Sequence, residues 1–419
     1  MARRSSETES QRHDADGGTA RDESGGVPGN QPGPGRPMSL PITAEILNPA
    51  AASAHAEGWR ALADRALEPN PFFAPEVALA GLRHLPEGRG GAVVMAWRGD
   101  QRREVAGILP VIGIGRRYLV PLPARQSGAF YGTLSTPLLD PDQPEPVLAA
   151  MLAALGRAGT QALHFPYLHE GGPVDRALGR LIAGNGLGRA RIDGFGRAFL
   201  HSPLPGSDYM RATLETRRRK EADRQRRRLA EMGALAFRVA RGPQDIPGAV
   251  EIFLDLEAAG WKGRQGTDLR TAPGAAAFLR EAAADLALRD AIRIAILSLD
   301  ARPIAAGLVL TAQDRAYYAK TCYAEDLGRF SPGFLLTLDL TAHLLDDPAL
   351  ASADSIAIAD HPMIDRLWVE RFPVASVLVQ TGPAFRLVAG AERVRELARR
   401  STRRARNRLE AWQAARSKG

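Results

Sequence analysis

Residues 316–336, AYYAKTCYAEDLGRFSPGFLL, carry the clearest structural pattern in the sequence. The first eight of these residues are rich in aromatic and β-compatible side chains, which predicts a strand. Acidic and glycine residues interrupt that pattern at 325–328, and Ser331, Pro332 and Gly333 then precede apolar residues at helical spacing. Serine at the N-cap and proline at the first helical position favour a helix start. Because such a helix offers free N–H groups and a positive dipole end, the junction predicts either an anion seat or an ordinary strand–helix turn.

The composition is typical of a soluble globular protein. The chain has 419 residues, 45% hydrophobic and 24% charged, which predicts two or three domains. We see no apolar run long enough for a membrane span and no secretion signal. The single cysteine, Cys322, excludes a disulfide framework, and the eight histidines lack metal-ligand spacing. We therefore expect a cytoplasmic protein without a metal.

The positive charge is concentrated in two segments. Residues 217–228 carry eight basic and two acidic side chains, and residues 391–419 carry ten basic and three acidic ones. Since the whole chain has a net charge of +8, the remainder has a net charge of −5. The chain as a whole is therefore not patterned as a nucleic-acid-binding surface.

One order of predicted elements occurs twice along the chain. Residues 1–38 are rich in glycine, serine, proline and charged side chains, which predicts disorder, and Met38 is an alternative start. Residues 39–204 and 205–389 each show helices, a β-hairpin, a strand, a helix, a strand, a helix and a strand. Residues 390–419 form a basic helix. We expect an α+β fold with two similar domains, each a mixed, mostly antiparallel sheet flanked by helices.

The individual elements of this order can be assigned to residue ranges. Alternation along the 316–323 strand predicts that Tyr318, Lys320 and Cys322 share one face. The other predicted elements are a helix at 43–67, a hairpin of strands 92–97 and 104–111, a strand at 118–122, a basic helix at 207–232, a strand at 355–360 and a helix at 362–371.

Two local patterns resemble one known family. Segment 256–263, LEAAGWKG, resembles the Glu-x-x-Gly-Trp-Lys-Gly pattern of the BioF2-like, or CelD-like, branch of GNAT acetyltransferases. The second pattern also resembles that branch. It consists of the Tyr318-x-Lys320-x-x-Tyr323 strand followed by Phe-Ser-Pro-Gly at 330–333. The resemblance covers the second half well and the first half more loosely.

This resemblance implies tandem GNAT-like (acyl-CoA N-acyltransferase) domains, an arrangement shared with FemAB-type peptidoglycan aminoacyltransferases. It implies transfer from acyl-CoA, such as acetyl-CoA, to an amine or to a lipid- or saccharide-linked acceptor of envelope metabolism. The family's Arg/Gln-x-x-Gly-x-Gly/Ala cofactor loop is replaced by Gly-Arg-Phe-Ser-Pro-Gly at 328–333, so an aminoacyl-tRNA donor is an alternative. A third interpretation is a catalytically silent module that binds nucleic acid or anionic membrane, including the inner membrane, through its basic helices.

The candidate catalytic residues are Glu257, Tyr323 and Asp360. Glu257 is a candidate general base if burial raises its pKa, with a helix-end ion pair to Lys262 as the structural alternative. Tyr323 is a candidate acid for the leaving thiolate, or a core tyrosine. Asp360 is a candidate partner for Lys320, or a cap for the following helix.

The remaining candidates are binding residues. Cys322 has no recognisable partner for nucleophilic catalysis. The predicted substrate contacts are Trp261, Lys262, Tyr318, Lys320 and His361. The predicted cofactor contacts are Arg329, Ser331 and Gly333.

Overall fold

The structure, a computed structural model, describes residues 40–99, 104–114 and 122–416, with side chains as far as residue 402 except at 400. The predicted tail at 1–38 and most of the predicted strand at 118–122 lie outside the described residues. The strands are β1 Ile42–Leu47, β2 Ala92–Arg98, β3 Glu104–Gly113, β4 Ala124–Ser127, β5 Leu138–Leu139, β6 Ala162–His169, β7 Arg189–Leu200, β8 Leu235–Ala240, β9 Ile292–Leu299, β10 Arg302–Ala312, β11 Arg315–Tyr323, β12 Ser352–Asp354 and β13 Glu370–Gln380. The helices are α1 Pro49–Ser53, α2 Ala56–Arg65, α3 Pro75–His84, α4 Pro144–Arg157, α5 Pro173–Asn185, α6 Gly206–Thr213, α7 Thr216–Ala230, α8 Gly242–Ala259, α9 Trp261–Arg264, α10 Ala275–Ala287, α11 Pro332–Leu345 and α12 Phe385–Arg416.

The strands form one mixed sheet whose two halves exchange their last strands. The order is β1-β2-β3-β4-β6-β13-β7-β12-β11-β10-β9-β8, with β5 beside β3. The β4–β6 and β11–β12 pairs are parallel and the other pairs are antiparallel. Since β13 pairs with β6 and β7 pairs with β12, each half is completed by the other half's final strand. The predicted α+β class with a mostly antiparallel sheet is confirmed, whereas the division at residue 204 stays a prediction.

The parallel strands β11 and β12 separate soon after they meet. They pair only where Arg315, Ala316 and Tyr317 face Ser352, Ala353 and Asp354. The chain leaves the sheet after Asp354, while β11 continues to Tyr323. The second half of β11 therefore has no strand partner on this side.

Helices cover both faces of the second half of the sheet. Side chains alternate along β9, so Ile294 and Ile296 join the core that includes Phe253 of α8 and Phe278 of α10. Leu297 joins the opposite core, under α11. Each fully buried side chain of this size stabilises the fold by about 1.5–3 kcal/mol.

A buried ion pair joins the exchanged strands. Arg197 on β7 donates two hydrogen bonds to Asp354 on β12, at 2.6 and 2.5 Å, and both side chains are fully buried. Arg197 also donates to the hydroxyl of Thr133, whose own proton goes to the carbonyl of Ile356. The network therefore fixes the place where the chain leaves β12.

A β-bulge overturns the predicted facing of β11. Lys320 pairs with Leu308 and Tyr318 pairs with Val309, so Ala319 has no partner on β10. An extra residue reverses the alternation of side chains across the sheet. Tyr318 consequently faces α11, whereas Lys320 and Cys322 face α8, and the prediction that all three share one face was wrong.

Some predicted elements differ from the structure at their boundaries. The hairpin of β2 and β3 and the start of α11 at Pro332 are confirmed. The predicted helix at 43–67 is wrong at its start, because Ile42–Leu47 pairs as a strand with β2. The predicted basic helix at 207–232 is interrupted between α6 and α7, where Leu214 is extended. Residues 355–360 follow β12 as a loop, and the predicted helix at 362–371 is reduced to a 3-10 turn at Ile364–Arg366.

None of the helices in the described part of the chain has the length and apolar character needed to cross a bilayer.

Candidate functional site

Three charged side chains meet between α8, α9 and β11. Glu257, in the last turn of α8, is 3% exposed. One of its carboxylate oxygens accepts hydrogen bonds from Lys262 at 2.8 Å and from Lys320. The other oxygen accepts the backbone N–H of Leu269 at 3.0 Å. We call Glu257, Lys262 and Lys320 the charged triad.

The triad has opposing electrostatic effects on its members. Burial raises the pKa of Glu257, but hydrogen bonds and positive charge from Lys262 and Lys320 outweigh burial and leave this pKa below its usual value. The general-base alternative for Glu257 required a raised pKa, so the lowered pKa favours the other alternative, the helix-end ion pair to Lys262. Burial lowers the pKa of Lys320, and the Glu257 carboxylate opposes that shift without cancelling it. Glu257 is thus suited to hold two ammonium groups rather than to remove a proton.

Aromatic rings border the triad. Trp261 begins α9 and is 50% exposed, with Lys262 Nζ 5.8 Å from its ring centre. Lys320 Nζ lies 5.8 Å from the ring centre of Tyr131, a residue of the other half of the chain. Tyr131 stacks on Phe278 of α10 with 5.7 Å between ring centres. Trp261 is therefore available to a ligand rather than part of the core.

Close packing requires glycine at the end of the Gly-Trp-Lys-Gly segment, at Gly263. A Cβ at Gly263 would lie 1.7 Å from the carbonyl oxygen of Ala258, so no larger residue fits there. The backbone N–H of Trp261 donates to Glu325, which also accepts a hydrogen bond from Arg264 at 2.6 Å. These contacts tie α9 to the turn that follows β11 and hold Trp261 beside the triad.

The second candidate feature is the start of α11. Ser331 has a φ of 51°, its hydroxyl does not cap the helix, and its carbonyl accepts the N–H groups of Phe334 and Leu335. Tyr323 is 40% exposed and packs against Gly333, where a Cβ would lie 3.1 Å from the tyrosine ring. A cleft beside Ser331 is also lined by Arg218, Glu221, Ala222, Gln225, Phe334, Pro362 and Met363. Basic helix α7 therefore borders the predicted anion seat.

Other predicted site residues lie elsewhere. Asp360 is exposed, and the partner of Lys320 is Glu257 instead. Nδ1 of His361 accepts the N–H groups of Met363 and Ile364, both at 3.4 Å, so the histidine caps the short turn that Asp360 was expected to cap. Arg329 is exposed and stacks on Phe330, with 4.7 Å to the ring centre.

The β11 side chains around Lys320 are buried. The hydroxyl of Tyr318 lies 3.1 Å from the hydroxyl of Thr337 in the core under α11, so Tyr318 offers no surface to a substrate. Burial raises the pKa of the Cys322 thiol to about 12, which keeps it protonated and unreactive. Within the described ranges, no three His, Cys, Asp or Glu side chains are grouped to hold a metal ion.

Sequence reasoning missed Tyr131 and Phe278. Their pairing joins residues 147 positions apart, which no local pattern reveals. The one available signal was the Gly128-Ala-Phe-Tyr-Gly132 run, in which two large aromatic residues interrupt a glycine-containing loop.

The second half of the chain matches a known family. Residues 216–358 match the family described as "Acetyltransferase (GNAT) domain". The matched segment runs from α7 to just beyond β12 and includes the whole charged triad and the start of α11. No curated protein sequence matches this chain.

Two solved structures share the fold over most of the chain. The crystal structure of FemX superimposes with a TM-score of 0.52 and 9% identity, covering 77% of this chain and 95% of FemX. The C-terminal domain (DUF2156) of a protein described as a lysylphosphatidylglycerol synthetase from Agrobacterium fabrum gives a TM-score of 0.51 and 12% identity, covering 83% of this chain and 96% of that domain. At such identities the likeness establishes a common fold.

Proposed function

Residues 216–358 form an acetyltransferase domain of the GNAT superfamily, and on that premise we propose that this protein transfers an acyl group from acyl-CoA to an amine. The predicted relation to the GNAT superfamily is thereby confirmed, and the FemX-like fold agrees with the expected FemAB relationship. The narrower BioF2-like assignment stays a prediction. The observation that carries the proposal is the charged triad, which lies beside β11 where β11 and β12 separate.

The proposed chemistry is direct attack within a ternary complex. The amine nitrogen attacks the carbonyl carbon of the thioester, a C–N bond forms, and the C–S bond breaks. Lys262, reinforced by the nearby charge of Lys320, stabilises negative charge that develops on the carbonyl oxygen, because fixed positive groups in a partly dry site act strongly there. Glu257 positions both ammonium groups through one carboxylate oxygen.

The donor is proposed to bind on the α11 side of the sheet. Ser331, Gly333 and Arg218 would contact the pyrophosphate at the start of α11, since helix N-termini and guanidinium groups favour phosphate. Tyr323, exposed at the end of β11 and packed against Gly333, is the proposed proton donor to the leaving thiolate.

The test is release of free thiol from acetyl-CoA and longer acyl-CoAs in the presence of a panel of amines. Removing one donor to a developing oxyanion costs about 100-fold or more in kcat, so we expect that loss from Lys320→Met and from Lys262→Met. Lys220→Met, on the exposed side of α7, is the matched control. Equal rates for all three variants and the wild type would contradict the proposed role of the triad.

The exposed basic helix favours one second candidate, a FemAB-like transferase with a tRNA-borne donor. On α7 only Ala222 and Leu229 are buried, so its basic side chains are available to a polyanion. This candidate predicts that tRNA copurifies with the protein and that replacing residues 217–219 by glutamate removes it. A salt-independent interaction, or one unchanged by that replacement, would argue against it.

A further inference from the structure

An apolar pocket opens beside the charged triad. Its enclosed space is about 50 Å³, which is room for a short apolar side chain rather than for a whole ligand. Lys320 is the charged residue among the described residues that line it, and the other lining residues are apolar or aromatic. Both halves of the chain supply its walls, which include Phe72, Val77, Phe130, Phe278, Leu279 and Ala282.

The mouth of this pocket is formed by Tyr131 and Lys320. Tyr131 has a φ of 53°, a strained conformation for a residue with a large side chain, and it is exposed. Its ring stacks on Phe278 and lies under the Lys320 ammonium. A ligand in the pocket would therefore pass an aromatic ring that also contacts the triad.

The charge at the mouth selects a particular kind of ligand. Two ammonium groups and one carboxylate give the triad a net charge of +1. Since Lys320 and Lys262 already share one Glu257 oxygen, one further anionic group would balance the triad. A ligand that fits both features has a single negative group next to an apolar chain.

β11 lies between this pocket and the donor seat, and the two substrates would meet beyond Tyr317, where β11 has no strand partner on the β12 side. Lys320 faces α8 and the pocket, whereas the start of α11 lies on the other face of the strand. The pocket is thus placed for the acceptor rather than for the acyl donor.

We propose that the acceptor is an apolar α-amino acid whose side chain enters the pocket and whose carboxylate is held by Lys320, which lines the pocket. This rests on the proposed acyl transfer, and it names the acceptor class. The amino nitrogen forms the new bond to the carbonyl carbon, the bond from that carbon to the thioester sulfur breaks, and the proton lost by the amine balances the proton taken up by the thiolate. The product is an N-acyl amino acid.

The test is calorimetric titration of the full chain with L-leucine and L-phenylalanine. L-Leucinamide lacks the carboxylate and L-serine lacks the apolar side chain, so each is expected to bind at least tenfold more weakly than L-leucine. Ala319→Leu, at a partly exposed position in the pocket wall, and Ala282→Val, on α10, narrow the pocket from two sides. Both variants are expected to weaken L-leucine binding at least tenfold, whereas Ala236→Leu, exposed on β8, should leave it unchanged.

Parallel titration with acetyl-CoA separates the two proposals. Acetyl-CoA binding without amino acid binding would overturn the acceptor assignment and leave the acyltransferase proposal supported. Amino acid binding that depends on Ala319 and Ala282, with no binding of any acyl-CoA, would support the pocket assignment and contradict the donor. L-Leucine and L-leucinamide binding equally well would overturn the role of Lys320 in holding the acceptor carboxylate.

Discussion

Glu257 and Lys320 form an ion pair that ties the last turn of α8 to the bulged part of β11, and Lys320 retains 22% side-chain exposure while Glu257 retains 2%. Lys262 joins the same carboxylate oxygen from α9. The charged triad therefore links α8, α9 and β11 at the point where the proposed donor and acceptor would meet. Its stability and its titration can be measured without knowing either substrate.

Replacing Glu257 by glutamine should destabilise the fold. The change leaves two ammonium groups close together with no carboxylate between them. We expect a loss of about 2 kcal/mol in the free energy of unfolding, less than the roughly 3–5 kcal/mol of a fully buried pair because both lysines are partly exposed. Urea unfolding measures the loss, and the double variant with Lys320→Met should recover part of it.

The matched control for this change is Glu251→Gln, six residues earlier on the same helix, α8. Glu251 is 43% exposed at its side chain and pairs with Arg270 and Arg280 on the surface. Surface pairs contribute about 0–1 kcal/mol. Equal destabilisation by the two variants would mean that the triad has no special energetic role.

The contribution of Glu257 should disappear in acid. Burial raises its pKa, and the two lysines lower it further than burial raises it, so the folded pKa is below the ordinary value. A lowered carboxyl pKa stabilises the fold above the unfolded pKa of about 4.3 and loses this effect as pH falls through the folded pKa. The stability difference between the wild type and Glu257→Gln should be full at neutral pH and shrink below about pH 4. Urea midpoints at several pH values test this, and a difference that persists undiminished in strong acid would contradict it.

Arg197→Met should be among the most destabilising single changes. It leaves Asp354 fully buried without its partner, which costs about 3–5 kcal/mol. Arg191→Met on the same strand is the control, because Arg191 is 52% exposed and pairs with Glu170, so its loss should cost less than about 1 kcal/mol. Thermal unfolding of both variants compares them, and similar melting temperatures would argue against the exchanged strands being held by this pair.

Adding a methyl group at the start of α11 should affect donor binding more than stability. A Cβ at Gly333 would lie 3.1 Å from the ring of Tyr323, so the ring must move, whereas at Gly328 the nearest approach to that ring is 3.9 Å. We expect Gly333→Ala to raise the KM for acyl-CoA severalfold and Gly328→Ala to leave it unchanged. Equal KM values for both variants would place the donor elsewhere.

Local signals predicted the elements whose chemistry lies within a few residues. The β2–β3 hairpin followed from alternation and a turn, and the start of α11 followed from Ser331-Pro332. The strand β1 was mistaken for a helix because its pairing with β2 depends on residues about 50 positions away. The local sign that the helix begins at 49 rather than 43 was Asn48-Pro49, because asparagine caps α1 and proline is its first residue.

The site was only half predictable for the same reason. Glu257, Lys262 and Trp261 were predicted together because they are neighbours in sequence. The bulge at Ala319, which turns Lys320 towards Glu257, depends on the register with β10, and nothing in residues 316–323 specifies that register. The insertion of β13 between β6 and β7 is likewise a property of the complete chain.

The most direct test of the central proposal is calorimetric titration of the full chain with acetyl-CoA and longer acyl-CoAs. The account predicts saturable binding of one acyl-CoA per chain, weakened by Gly333→Ala and kept by Gly328→Ala. Failure of every acyl-CoA to bind would contradict it.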